Sequence, residues 1–546
     1  MTMLAFEVLV KNGYDRALTF WRDRSPSGRE LSRKRAEADA LLDALARSST
    51  EAFEGRALID ASFDNPNYWF RFSLLRAALG LAHGEEIGLL GEFRARQCGG
   101  TLKRFGIDRI EVFPDIPASV HRQAQRLVDK TKAPDDILQW TLPGGVDPAI
   151  VYDGVLKRQR LAAVDVTRSD FPRLVHAALA AIERGQRLLD KYRFDLLVVS
   201  HPFNFMPGTL AWQALQRGIQ AVLPFGLFGG LRFTRFYEPT DLLRFYDRPS
   251  RAEIEGLTLA RTEALAAVGR EYLRGRLSGA ASDLASQYAF QRNRGGIDRD
   301  EICRRFGWDP AKPIVGFYAS NWYDWPHQLG MTQFRDFLDW TEASYRAACA
   351  NTAVNWLFKP HPAEDWFGGV ALANIFAGFH RADHVALAEK CWNNAEVMHC
   401  LDALVTYHGT AGVEFAAQGK PVLVPDRGKY DDCGFVIVAD NRTHYLDLLS
   451  RDWWRGMDVQ AVRRRAEIFA GWWFCIPDWQ RGFLLGEDAL QGALYAKIPA
   501  LLRDYSRVID RELAELRAWW QSGHPYYHTT KMMRADSYVL SNLAVP

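Results

Sequence analysis

Two short stretches of the 546-residue chain concentrate the residue types that chemistry on phosphate esters requires. The first, YHGTAGVEFAAQGKPVLVP from Tyr407 to Pro425, joins an apolar run to a helix-like one through His408, Gly409, Thr410, Ala411 and Gly412. Glycine lets a backbone turn tightly and approach a ligand, and threonine caps a helix or bonds an oxygen. Exposed N–H groups at a helix start attract an anion, a dipole effect of roughly 0.3 to 2 kcal/mol. Glu414 falls in the first turn of that helix, within reach of a ribose hydroxyl. The bland alternative is a tight strand-to-helix turn with no ligand.

The second stretch, WLFKPHP from Trp356 to Pro362, is an apolar strand that ends in Lys359 and His361 between two prolines. The prolines forbid helix and stiffen the turn. A cation and an imidazole fixed there suit a departing phosphate, which needs charge compensation and a proton or hydrogen bond. A third strand end, FYASNWYDWPH, offers Asn321, Asp324 and His327 to the same crevice, with aromatic packing as the competing reading. On the other side of a cleft, Asp153 in VYDG and His201 in VVSHPFNF are the candidates to serve as or assist a catalytic base, each placed near a strand end or turn. Asp60 is a further candidate, and Asp64 reads better as a helix cap. Asp298 and Asp300 form a DxD pair but open a helix, where acids are favoured. His380 and His384 have the i, i+4 spacing of a helical metal pair but straddle a strand start, outside any helix that would bring the two side chains together. No metal site is expected.

Elements able to hold these groups alternate along the chain. Short β-rich runs at 57–61, 86–90, 109–113, 195–201 and 220–224 are interspersed with helical patterns at 68–81, 118–130 and 171–192. After a polar break at 291–298, further runs at 313–320, 354–359, 384–388, 403–407 and 422–425 alternate with helices at 334–350, 393–401 and 412–418. Alternation of this kind predicts parallel sheets covered on both faces, with binding crevices at the carboxyl ends of the strands. The expected architecture is α/β: two tandem Rossmann-like doubly wound domains, 1–297 and 298–440. A helical, aromatic-rich tail without strands, 441–546, is expected to pack across them.

Composition narrows the class. Lys and Arg number 68 against 66 Asp and Glu, with no long run of one sign, which argues against bulk nucleic-acid binding. Seven cysteines lack a CxxC pair and read as reduced cytoplasmic thiols. No apolar run approaches the roughly 18 residues of a membrane span, and the amino-terminal apolar run is too short for a secretory leader. The tryptophan pairs 453–454, 472–473 and 519–520 read first as packing, with peripheral membrane contact as the alternative.

KPHP together with HGTAGVEFAAQGKPVLV resembles the nucleotide-binding half of GT-B fold glycosyltransferases of capsule and surface polysaccharide biosynthesis. NWYDWPH followed by QFRDFLDWTEASY resembles the same family's entry to that half. KPHP is also similar to an element of bacterial Kdo transferases and sialyltransferases, whose donors are CMP-activated, and GTAGVE to a turn of UDP-N-acetylglucosamine 2-epimerases. The match covers roughly 313–440. More loosely, Asp195 to Phe225 looks like the acceptor-side strand, helix and strand, and Val151 to Arg158 like a segment upstream of it. No Asp-Asp-Gly base motif is present, so the resemblance assigns no base.

The resemblance implies a metal-independent glycosyltransferase with no bound cofactor, taking a nucleotide-sugar donor in the second domain and a polysaccharide or glycolipid acceptor in the first. It would work in the cytoplasm or at the inner face of the membrane. The rivals are a nucleotide-sugar 2-epimerase, a CDP-glycerol-type glycerophosphotransferase and a non-catalytic assembly subunit.

Overall fold

A computed structural model describes residues 25–91, 95–112, 117–203, 205–224, 231–245, 248–280, 289–290, 296–362, 364, 369–474 and 493–528. The amino-terminal apolar run and most of the 291–298 break lie outside them. The chain forms two compact units, Met1–Val112 with Gly482–Ser522, and Phe113–Arg481 with Gly523–Pro546.

In the first unit, β1 (Arg56–Ala61), β2 (Glu85–Leu90) and β3 (Ile110–Val112) run parallel in that order. Helix Pro66–Leu79 between β1 and β2 is buried along its whole length. Asn65 caps it by accepting from the Asn67 N–H at 2.8 Å, and Gly80 ends it at φ 66°. The cap is therefore Asn65 and not Asp64, whose carboxylate instead accepts from Arg35 at 2.8 and 3.1 Å and from the Trp69 indole at 3.0 Å. Asp60 is buried in β1, with one carboxylate oxygen accepting from the Ser62 N–H at 3.0 Å. The tail helices Ala493–Asp504 and Ser506–Ser522 belong to this unit and pack on helices Pro26–Arg47 and Pro66–Leu79.

The second unit holds β4 (Leu196–Val198), β5 (Gln220–Leu223), β6 (Arg232–Phe236), β7 (Ile314–Tyr318), β8 (Asn355–Lys359), β9 (Val385–Leu387), β10 (Ala403–Thr406), β11 (Val422–Val424), β12 (Ile437–Val438) and β13 (Tyr526–His528). β4 and β5 are parallel, while β6 runs antiparallel to β5 and β13 antiparallel to β6. The other six form a parallel sheet in the order β12-β11-β10-β7-β8-β9. Its central strands are buried at every position, as a sheet covered on both faces requires. The chain is thus a mixed α/β protein with Rossmann-like parallel sheets, as the alternation predicts.

Two differences from the sequence reading concern position. Asp153 lies inside helix Pro148–Gln159 and not at a strand end. β13 puts a strand in the tail, which was expected to hold none, and His528 on it is buried, 1% exposed. His524 bonds Glu253 at 2.9 Å. Asp298 caps helix Arg299–Phe306 by accepting from the Glu301 N–H at 2.8 Å, the structural role expected of it.

One helix pair matters for the site. Helices Leu259–Leu277 and Val459–Phe474 cross so closely that a Cβ on Gly269 would lie 2.0 Å from the Glu467 carbonyl oxygen, and one on Gly471 2.0 Å from that of Leu265. Arg270 spans the crossing to Glu467 at 2.9 and 3.0 Å. Trp453, Trp472, Trp473 and Trp519 are buried, which favours packing over membrane contact for one or both members of each pair. Among the described residues no helix is long and apolar enough to cross a membrane.

Candidate functional site

At the carboxyl ends of β7, β8 and β10 a cavity of about 140 Å³ opens against the turn that begins at Gly409. Parallel pairing puts Thr406 opposite Tyr318 and Tyr318 opposite Lys359, so the residues that follow these strands meet at one edge. Gly409, Thr410, Ala411, Glu414 and His361 all line the cavity. The two stretches singled out in sequence thus share one wall.

The turn differs in detail from its expected form. Helix Ala411–Ala416 starts with no side-chain cap bond from Thr410, whose hydroxyl accepts from Arg276 at 3.2 Å. Arg276 also donates to the Glu414 carboxylate and, at 3.2 Å, to the Tyr272 hydroxyl. Glu414, expected to reach a ribose hydroxyl, is committed to this buried ion pair. Gly412 makes room for Tyr430, whose hydroxyl would lie 2.3 Å from an added Cβ, so its role is packing and not ligand approach. That hydroxyl donates to the Gly409 carbonyl at 2.7 Å and pins the turn.

His361 is half-buried, and burial lowers its pKa below the ordinary imidazole value against the opposing charge of Asp324. The ring is therefore neutral near pH 7, suited to a hydrogen bond with a leaving oxygen. Lys359 ends β8 buried, outside the cavity lining, where the neighbouring Pro360 and Pro362 stand. His408 is also outside the lining. It is buried among Tyr407, Phe337 and Phe245, with neither ring nitrogen hydrogen-bonded among the described residues. Burial, with Lys429 adding to it, lowers its pKa to about 3.

Asn321, Asp324 and His327 were expected in the same crevice, but their side chains turn toward helix Pro148–Gln159 or lie outside the cavity lining. Asp324 pairs with Lys157 at 3.6 Å. His327 Nδ1 lies 2.7 Å from Asp153, whose other oxygen accepts from the Gln328 N–H at 2.9 Å. Burial pulls the His327 pKa down, and the Asp153 charge more than offsets it, leaving a net rise. Asn321 bonds through its carbonyl to the Asp324 N–H at 3.2 Å. His201 meets Trp325 edge-on at 5.3 Å, and burial lowers its pKa to about 4. Trp325 itself stacks on Phe203 at 4.7 Å, lies 3.9 Å beneath the Lys157 ammonium and adopts φ 47°. A left-handed backbone at a tryptophan costs free energy and persists only where surroundings enforce it. Asp153, His201, Asp324 and His327 therefore form a second cluster beside the cavity.

Two cations escaped the sequence reading. Arg276 closes helix Leu259–Leu277 and lies over Phe474 at 5.3 Å. Lys429, after β11, is buried against Phe245 and Trp473, at 5.2 and 5.6 Å. Burial and the nearby Arg276 and Arg232 lower its pKa to about 7, against the charges of Asp324 and Glu414. Arg276 ends an alanine- and arginine-rich helix that reads as solvated. The one visible clue to Lys429 is its position just past a strand end.

Among the described residues no cluster of three or more His, Cys, Asp or Glu could hold a metal ion. No protein-family model matches the chain, and no curated protein does. Solved structures do. A beta Kdo 2,4 transferase, KpsC of Thermosulfurimonas dismutans, is 14% identical over 51% of this chain and 79% of its own, with a TM-score of 0.30. UDP-GlcNAc 2-epimerase from Neisseria meningitidis, bound to UDP-GlcNAc, is 10% identical over 82% and 99%, at 0.22. The wall teichoic acid polymerase TagF is 9% identical over 92% and 98%, also at 0.22. These likenesses all fall below a TM-score of 0.5, and the functional reading rests on the geometry of the site itself.

Proposed function

We propose that the chain is a glycosyltransferase that moves a sugar from a nucleotide-activated donor to a polysaccharide or glycolipid acceptor. The observation that carries this reading is the convergence of Thr410, Arg276, Glu414 and His361 on one cavity at the carboxyl ends of three parallel strands. Oriented donors and buried cations at that edge suit the negative charge that grows on a departing phosphate. In this reading residues 298–440 carry most of the donor site, His361 hydrogen-bonds the leaving phosphate, and Lys359, Lys429 and Arg276 supply positive field without a metal. Backbone at Gly409 to Ala411 cradles the phosphate, Gly412 lets Tyr430 pack behind it, and His408 supports the turn from behind.

The imidazole of His327, held by Asp153, is the group we assign to the acceptor's proton, with His201, Asn321 and Asp324 shaping the approach. The protein acts from the cytoplasm at the inner face of the membrane, where a lipid-linked acceptor is presented. CMP-sugars head the donor panel.

The test is nucleotide release from a panel of nucleotide sugars, with and without acceptor, in the presence of EDTA. Wild-type protein should release nucleotide in an acceptor-dependent manner, and His361→Ala should lose about 100-fold or more with its melting temperature unchanged. Equal turnover by the variant would remove His361 from the mechanism. An epimerised sugar formed without acceptor would assign the cavity to epimerisation instead.

A further inference from the structure

The cavity holds two buried polar atoms that phosphate capture leaves unused. Tyr318, the last residue of β7, is 7% exposed, and its hydroxyl has no hydrogen-bond partner among the described residues. Asn394, at the start of helix Asn394–Cys400, is 5% exposed, and its Oδ1 is likewise without one. Both residues line the cavity. Of the other polar groups there, Arg276 is engaged with Glu414 and Thr410, and the Gly409 carbonyl with Tyr430.

A buried polar atom left unpartnered is costly, and nearly all such atoms in proteins are satisfied. Two of them in one small cavity point to a ligand that completes them. The amide oxygen of Asn394 only accepts, the Glu414 carboxylate in the same cavity only accepts, and the Tyr318 hydroxyl does either. The complementary group is therefore an O–H or N–H donor, which a bare phosphate near neutral pH supplies poorly.

We propose that Tyr318 and Asn394 form a subsite that reads a hydrogen-bond-donating group, a hydroxyl or an amine, on the organic part of the phosphate ester held in this cavity. The subsite rests on the reading of the cavity as a donor site and adds what selects the donor there. Each residue acts by direct contact, and the phosphate is held by other groups.

The test compares inorganic phosphate, ribose 5-phosphate, UMP and CMP as ligands by calorimetric titration of wild-type protein, Tyr318→Phe and Asn394→Leu. Each variant should bind the three organic phosphates about three- to tenfold more weakly, the range of one neutral hydrogen bond, with inorganic phosphate unchanged. Loss for all three organic ligands identifies a hydroxyl as the group read, and loss for CMP alone identifies its amine. Without ligand, Tyr318→Phe should melt no lower than wild type, because it removes an unpaired hydroxyl and keeps the ring. Unchanged affinities, or a lower melting temperature of unliganded Tyr318→Phe that marks its hydroxyl as structural or held by water only, would overturn the proposal. Organic ligands that bind through Tyr318 while phosphate does not bind would sustain the subsite and sink the phosphate site. Binding of none of the four would sink both.

Discussion

At the scale of a single residue, Lys429 offers the sharpest pH signature. Its folded pKa of about 7 lies below the roughly 10.4 of an unfolded lysine. Between those values the unfolded chain holds a proton that the folded chain has released, so this group makes stability rise with pH across the window. Below pH 7 both states are protonated and its penalty is complete and constant. Lys429→Met should flatten the profile, so urea midpoints measured from pH 7 to 10 should climb less in the variant than in wild type. Parallel profiles would show that Lys429 titrates normally in the folded protein. The groups facing it are Arg276, Arg232, Asp324, Glu414 and the His408 ring, the last neutral throughout this window.

At the scale of elements, the site depends on a helix crossing remote from it in sequence. Gly269 and Gly471 allow helices Leu259–Leu277 and Val459–Phe474 to touch backbone to backbone, and that contact sets where Arg276 meets Glu414. Gly269→Ala must push the helices apart, at a cost of about 1–3 kcal/mol, and should also weaken nucleotide binding by shifting Arg276. Gly275→Ala lies in the same helix with no heavy atom within 4 Å of the added Cβ. It should stabilise by roughly 0.5–1 kcal/mol through helix propensity alone. Denaturant titrations of both variants check the contrast, and equal effects would mean that the crossing is looser than described. The same helix Val459–Phe474 gives the site its aromatic wall, with Trp473 beside Lys429 and Phe474 beside Arg276.

At the scale of the whole molecule, every residue that lines the cavity falls in the unit Phe113–Arg481 with Gly523–Pro546. A ligand that binds only a folded unit stabilises it by about 2.7 kcal/mol at a hundredfold excess over its dissociation constant. Saturating nucleotide should therefore slow amide hydrogen exchange in that unit, most of all around 406–414, and leave residues 25–91 unchanged. Comparable protection in the first unit would show that the ligand is read by both.

The local record proved reliable where the physics is local. Parallel strands read largely as short apolar runs, and ten of them appear within a few residues of their expected places because strand length and flanking turn residues bound them. The KPHP and Gly409 to Gly412 turns were legible for the same reason, since proline and glycine mark a chain's direction on their own. β6 and β13, antiparallel partners 290 or more positions apart in the chain, carried no such mark; β13 is defined by its pairing with β6, which itself lies against β5. Asp153 looked like a strand-end carboxylate because nothing nearby in sequence reveals that helix Pro148–Gln159 carries it to His327, 174 residues away. Arg276 and Glu414 are 138 residues apart, and a buried arginine is indistinguishable from a solvated one until its partner is in place. What the sequence by itself determined was the α/β alternation and the two turns that follow β8 and β10, on either side of β7. Only the tertiary structure decided which cations stand over those turns, because burial and charge pairing are made by contacts between distant segments and leave no local periodicity.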